Sequence, residues 1–150
     1  MRTTESVTLT AAPTTVFPYV ADLAEYPAWL PLVHEATPSP DGDSRPAWDV
    51  EIRARVGPFA RSKRLRMRRT ELVPDELAVF ERDEIDGREH AGWTLRVELL
   101  PVLDHGTTVT MHLAYDGSLW TGGLLARVLD DQIRHGRSGL AALVDDEPAP

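Results

Sequence analysis

Between residues 48 and 56 the chain reads WDVEIRARV, and Trp48, Val50, Ile52, Ala54 and Val56 alternate with Asp49, Glu51, Arg53 and Arg55. Neighbouring side chains on a strand point to opposite faces, so this segment predicts a strand with one apolar and one charged face. The hairpin it starts restricts the fold further. Gly57-Pro58 turns the chain, and FARSKRLRMRRTELV returns with Leu65 and Met67 in the apolar phase and Arg64, Arg66 and Arg68 in the other. A turn at 57–58 sets Glu51 opposite Arg64 and Asp49 opposite Arg66, where each opposite-charge pair contributes roughly 0.2–1 kcal/mol. A slip of one residue would carry these charges inside. The six basic residues between 61 and 69 therefore read as mostly a solvated, neutralised sheet face rather than a nucleic-acid patch.

Later turns extend the same register. One at Pro74-Asp75 sets Arg66 opposite Asp83 and Arg68 opposite Glu81. Another at Gly87-Arg88 pairs Phe80 with Leu95 and Arg82 with Trp93. A third at Asp104–Gly106 pairs Leu95 with Leu113, Val97 with Met111 and Trp93 with Tyr115. One face then collects Trp48, Val50, Ile52, Leu65, Met67, Phe80, Trp93, Leu95, Val97, Leu99, Val109, Met111 and Leu113. Val79 and Ile85 fall on the wrong face, and the pattern offers no reason for them. The register also puts Met67, Arg82, Trp93 and Tyr115 in one row across four strands, with Arg69 and Glu84 one step to either side. Buried charges need partners; Arg82 is expected to pair with Glu84 and to stack on Trp93.

Upstream, ESVTLTAAP predicts a strand over 3–10, and APTTVFPYVADL a short helix with Thr14 or Thr15 as N-cap, which puts Pro18 in or beside the first turn. DLAEYPAWLPLVHEA then crowds Tyr26, Trp29, Leu30, Leu32 and Val33 around Pro27 and Pro31. The prolines exclude a long helix and a central strand, leaving a short stiff segment that is either a plug on a core or a lid on a pocket. Residues 37–46, TPSPDGDSRP, read as an unstructured loop.

Downstream, Leu125, Leu129, Ile133 with Gln132, Gly136, Leu140 and Leu143 predict an amphipathic helix over 121–144, about 36 Å long. Gly136 and Gly139 each cost it about 1 kcal/mol against alanine, so the helix is expected to pass close to the sheet there or to bend. One apolar helix stripe on one apolar sheet face gives an α+β fold in a single domain over 1–144, with DDEPAP (145–150) as a disordered tail.

Chemistry is sparser. The net charge of -8 opposes affinity for nucleic acid or anionic membrane. The absence of cysteine, of an apolar leader and of any long apolar run fits a cytoplasmic protein without membrane insertion. No nucleophile elbow, phosphate loop or dinucleotide fingerprint is present. His34, His90, His105, His112 and His135 show no ligand spacing, so no metal and no cofactor is expected.

The start APTTVFPYVADLAEYPAWLP and the strand pair WTLRVELLP and GTTVTMHLAYDG resemble the START-like, or SRPBCC, superfamily with its Bet v 1-type helix-grip fold. Within it the chain looks most like the bacterial polyketide cyclase/dehydrase and lipid-transport group. The resemblance implies a curved antiparallel sheet of about seven strands around the long C-terminal helix, two short helices after strand 1, and an apolar cavity between helix and sheet. Its ligand would meet Tyr26 and Trp29 at a rim, and Trp48, Met67, Arg69, Phe80, Arg82, Trp93, Leu95, Met111, Tyr115, Leu125 and Leu129 within. The implied function is binding or carriage of an apolar small molecule such as a lipid, polyketide or quinone. The alternative is a cyclase, aromatase or dehydratase acting on a poly-β-keto substrate, with Arg82 clamping an oxyanion or carbonyl and Tyr115 or Glu84 supplying protons. The second arginine of such enzymes has no counterpart, Leu72 standing in its place. Apart from the ligand, a homodimer is compatible with the chain.

Overall fold

The computed structural model of the chain describes residues 2–40, 45–56, 58–103, 106–116 and 124–145. Its elements run β1 (Arg2–Leu9), α1 (Pro13–Ala21), a 3-10 helix (Leu23–Ala28), β2 (Val33–Pro38), β3 (Ala47–Val56), β4 (Phe59–Val73), β5 (Leu77–Arg82), β6 (Trp93–Pro101), β7 (Thr107–Tyr115) and α2 (Leu124–Asp145). Seven strands make one antiparallel sheet in the order β1-β7-β6-β5-β4-β3-β2, curled around the C-terminal helix as the helix-grip expectation requires. No helix among the described residues is long and apolar enough to cross a membrane.

The register expected from charge and apolar phase is found except at Arg82 and Trp93, because β5 and β6 pair only from Leu77↔Glu98 to Glu81↔Thr94. Glu51 faces Arg64 and Asp49 faces Arg66; Met67 faces Arg82 and Arg68 faces Glu81; Phe80 faces Leu95; Trp93 faces Tyr115 and Val97 faces Met111. The turn at Pro74-Asp75 carries Asp75 at φ 63°, a left-handed conformation that a short polar side chain tolerates. Gly57, Asp104 and His105 lie outside the described residues, as does most of the expected tail. Asp145 itself ends α2, its carboxylate accepting from the Thr10 and Ala11 N–H groups.

Several expectations need correction. The helix α1 starts at Pro13, with Ala12 as N-cap and no side-chain cap, so Pro18 lies inside it. Proline's fixed φ suits the first helical position better than a threonine cap at 14 or 15. Thr37 and Pro38 belong to β2, so the loop is shorter than 37–46. Strand β2 is an edge, where proline's missing donor costs no ladder bond. The connection from β5 to β6 spans ten residues, and Ile85 stands in it, exposed, rather than on the sheet.

Val79 has a physical reason. A bulge between Arg69 and Glu71 shifts the register of β4, which sets Glu71 and Arg96 on either side of Val79. Their ion pair at 3.9 Å joins the side chains that flank this buried outward valine. Arg66 and Arg68 are not a solvated face either: both are buried. Arg66 donates to the Asp83 carbonyl at 2.7 Å and Arg68 to the Asp83 carboxylate at 2.6 Å, while Ser39 and the Arg45 carbonyl cover them from the chain after β2. Two arginines of the basic run are therefore held inside, while Arg64 stays exposed beside Glu51.

The two glycines of α2 meet the segment after the 3-10 helix, not the sheet. A Cβ on Gly139 would strike the Trp29 carbonyl, and one on Gly136 would lie 2.6 Å from Leu30 Cδ1. Farther along the interface, Glu5 on β1 binds Arg134 at 3.3 Å and Arg137 at 3.4 Å. The side chains of residues 124–130 lie outside the description, and the anchors named here lie from Arg134 onward.

Candidate functional site

The residues expected to meet a ligand separate into two groups on the inner face. The first is a chain of rings. Tyr26 and Trp29 have centroids 4.5 Å apart, Tyr26 meets Phe80 at 6.0 Å, and Phe80 meets Trp48 at 5.7 Å. The Arg69 guanidinium lies 5.9 Å from the Trp48 ring and donates to the Ala21 carbonyl at 2.7 Å. This group is satisfied internally. Tyr26 donates its hydroxyl to the Val20 carbonyl at 2.8 Å, and the Trp29 indole donates to the Tyr19 carbonyl at 3.0 Å. Burial drives the Tyr26 phenol well above its ordinary pKa of 10.0. The EYPAWLP segment and the residue after it pack as a plug: Tyr26, Trp29, Leu30 and Leu32 are all buried.

The second group is two cross-strand pairs, Met67 with Arg82 and Trp93 with Tyr115, with Leu95 next to Trp93 on the same face and Met111 beyond. Trp93 and Tyr115 tilt together at 4.5 Å. Arg82 pairs with Glu84 at 2.9 Å, as expected. Its remaining nitrogens go to the Ala91 carbonyl at 3.3 Å and His90 Nδ1 at 3.2 Å, and the guanidinium that stacks on an indole is Arg69's. The reason is the ten-residue connection, which folds back and offers Arg82 acceptors that its strand neighbours lack.

That connection makes a polar network. A guanidinium only donates, so His90 Nδ1 accepts from Arg82 and its Nε2 carries the proton given to Asp86 at 2.9 Å. The Arg88 backbone N–H and His90 hold the Asp86 carboxyl below its ordinary range. Glu84, Asp86 and His90 present ligand atoms within 4.8 Å of one another, a grouping invisible in the spacing. Each is already engaged: Glu84 Oε1 takes both Arg82 and the Arg66 backbone N–H.

Two features were missed by sequence reasoning. The first is Lys63, the chain's one lysine, which faces Ile52 on the inner side of β4. Desolvation, then the Arg82 charge, lower its pKa, with Glu84 opposing. The second concerns hydrogen bonding. Among the described residues, the buried Trp93 Nε1 has no acceptor and the buried Gln132 Oε1, one turn before Gly136 on α2, has no donor. Nearly all buried polar atoms are paired, and only the folded chain reveals which are not. The side chains of Leu125 and Leu129 lie outside the description.

Comparison with solved structures places this arrangement among proteins of one fold. A protein from Thermus thermophilus superposes with a TM-score of 0.75 at 17% identity, over 96% of this chain and 97% of that one. The Zhui aromatase/cyclase from Streptomyces sp. R1128 gives 0.72 at 12%, over 96% and 93%. A START superfamily protein from Mycobacterium smegmatis gives 0.69 at 17%, over 95% and 96%. No curated protein matches significantly. The family model described as polyketide cyclase / dehydrase and lipid transport matches residues 1–145, and the chain belongs to that family.

Proposed function

We propose that this protein binds an apolar small molecule of the lipid, polyketide or quinone kind between the inner sheet face and the N-terminal half of α2. The observation that carries this is the Trp93 indole N–H, buried on that face beside Tyr115 and without an acceptor among the described residues. A donor left unpaired in a folded interior costs about 1–3 kcal/mol, a cost that an incoming acceptor removes. Met67, Leu95, Met111, Leu125 and Leu129 are proposed as the apolar wall. Native mass spectrometry of the purified protein tests this, with extraction of whatever comes off. A stoichiometric apolar passenger supports the reading. An empty protein that also takes up no fatty acid, quinone or aromatic polyketide overturns it.

The likeness to an aromatase/cyclase favours a second reading, cyclisation of a poly-β-keto chain. Arg82 would hold the carbonyl, with Glu84 or Tyr115 moving protons. Here Arg82→Ala decides. Altered affinity alone supports carriage, whereas lost turnover with substrate still bound supports catalysis.

A further inference from the structure

We propose that Lys63 is a nucleophilic amine at the edge of the ligand site, and that it captures an apolar aldehyde as a Schiff base. This rests on the binding reading above and adds to it a reactive group and a class of ligand.

The position follows from strand lengths. Strand β5 stops at Arg82, opposite Met67, whereas β4 begins at Phe59. Residues 59–66 therefore have β3 on one side and, among the described residues, no strand on the other. Only the chain leaving β5 reaches them, through the Asp83 N–H on the Arg66 carbonyl and Glu84 Oε1 on the Arg66 N–H. Lys63 stands half-buried on this overhang, in the inward phase of Ile52 and Leu65. Arg82 and Glu84, whose charges act on it, also line a recess of about 180 Å³ with His90, Ala91 and Gly92.

The cations there differ in what holds them. Arg82 is bound by Glu84, Ala91 and His90, whereas Lys63 makes no hydrogen bond or ion pair with any described residue. Partial desolvation and the Arg82 charge both favour loss of its proton. The neutral amine is the form that attacks a carbonyl; an arginine in its place would stay protonated. The amine lone pair bonds to the aldehyde carbon as the C=O π pair moves onto oxygen. Both amine protons pass through solvent to that oxygen, which leaves as water, and a C=N bond remains. One amine and one aldehyde give one imine and one water, with no oxidant or reductant. An aldehyde carbon is more open than a ketone's, so a lone amine can condense with it unaided.

2-Naphthaldehyde with sodium cyanoborohydride, which reduces an imine to a stable amine, tests this at pH 7. Lys63 is the chain's one lysine, so peptide mapping separates its adduct from that of the terminal amine. Lys63 should be labelled about tenfold faster in the folded protein than in a synthetic peptide of residues 59–67. 2-Ethylnaphthalene should slow the labelling by occupying the apolar site. Lys63→Arg keeps the charge and should abolish the adduct while 2-ethylnaphthalene still binds by calorimetry. Should that variant fail to fold, the ratio of folded protein to peptide gives the answer from the unaltered chain. Labelling no faster than the peptide overturns the proposal, as does labelling that bound 2-ethylnaphthalene leaves unchanged. Binding of 2-naphthoate without any aldehyde adduct overturns it too, since Lys63 would then be a charge anchor. Calorimetry with 2-ethylnaphthalene and the mass spectrometry above report on the binding reading separately, so failure of the one is told from failure of the other.

Discussion

Tyr26 shows how a side chain that looks like a ligand contact becomes structure. Its ring joins Trp29 to Phe80, and its hydroxyl closes on the Val20 carbonyl. The folded phenol holds its proton past pH 10.0, whereas an unfolded tyrosine releases it near there. Above that pH the unfolded chain binds fewer protons, so stability falls as pH rises toward the folded pKa. Tyr26→Phe removes this alkaline loss and costs about 1–2 kcal/mol at neutral pH by stranding the Val20 carbonyl. Denaturant melts of both proteins at pH 8 and pH 11 would show it. Equal losses between the two pH values in both proteins would refute the assignment. Arg82 teaches a related lesson: its strand position was legible, but its partners sit on a connection that no periodicity describes.

At the scale of elements, α2 depends on two residues that weaken it as a helix. Gly139 lets the helix backbone approach the Trp29 carbonyl, and Gly136 accommodates Leu30. Alanine gains about 1 kcal/mol of helix propensity at either position. At 139 the obstacle is backbone, which cannot swing aside; at 136 it is the end of a leucine side chain. Gly139→Ala is expected to destabilise by a net amount of about 1–3 kcal/mol, with Gly136→Ala the milder change. Urea midpoints of the two variants decide this, and a Gly139→Ala protein more stable than the parent would contradict the close approach.

The whole molecule must protect two sheet edges, β1 and β2. Pro38 blunts β2. At β1 the helix does the work: Arg137 donates to the Ser6 carbonyl at 2.9 Å while pairing with Glu5. Arg137→Ala should leave the fold intact and raise self-association, seen by sedimentation velocity as a larger dimer or aggregate fraction at equal concentration. An unchanged distribution would mean that the edge is guarded by something other than this contact.

The antiparallel register, the apolar inner face and the amphipathic C-terminal helix were determined by the sequence alone. Each rests on local periodicity, and charges such as Glu51 and Arg64 penalise any slip. Only the tertiary structure decided what the non-periodic parts do. Pro27 and Pro31 stiffen the plug, but nothing local says that its neighbour Trp29 faces Gly139. The bulge at Thr70 rescues Val79 through Glu71 and Arg96, which share a pair only after two strands have met. Arg66 and Arg68 have the outward phase of solvated charges, and the return of Asp83 and Ser39 buries them. The Trp93 N–H, which has no acceptor among the described residues, is the extreme case: an unmade hydrogen bond leaves no trace in a sequence.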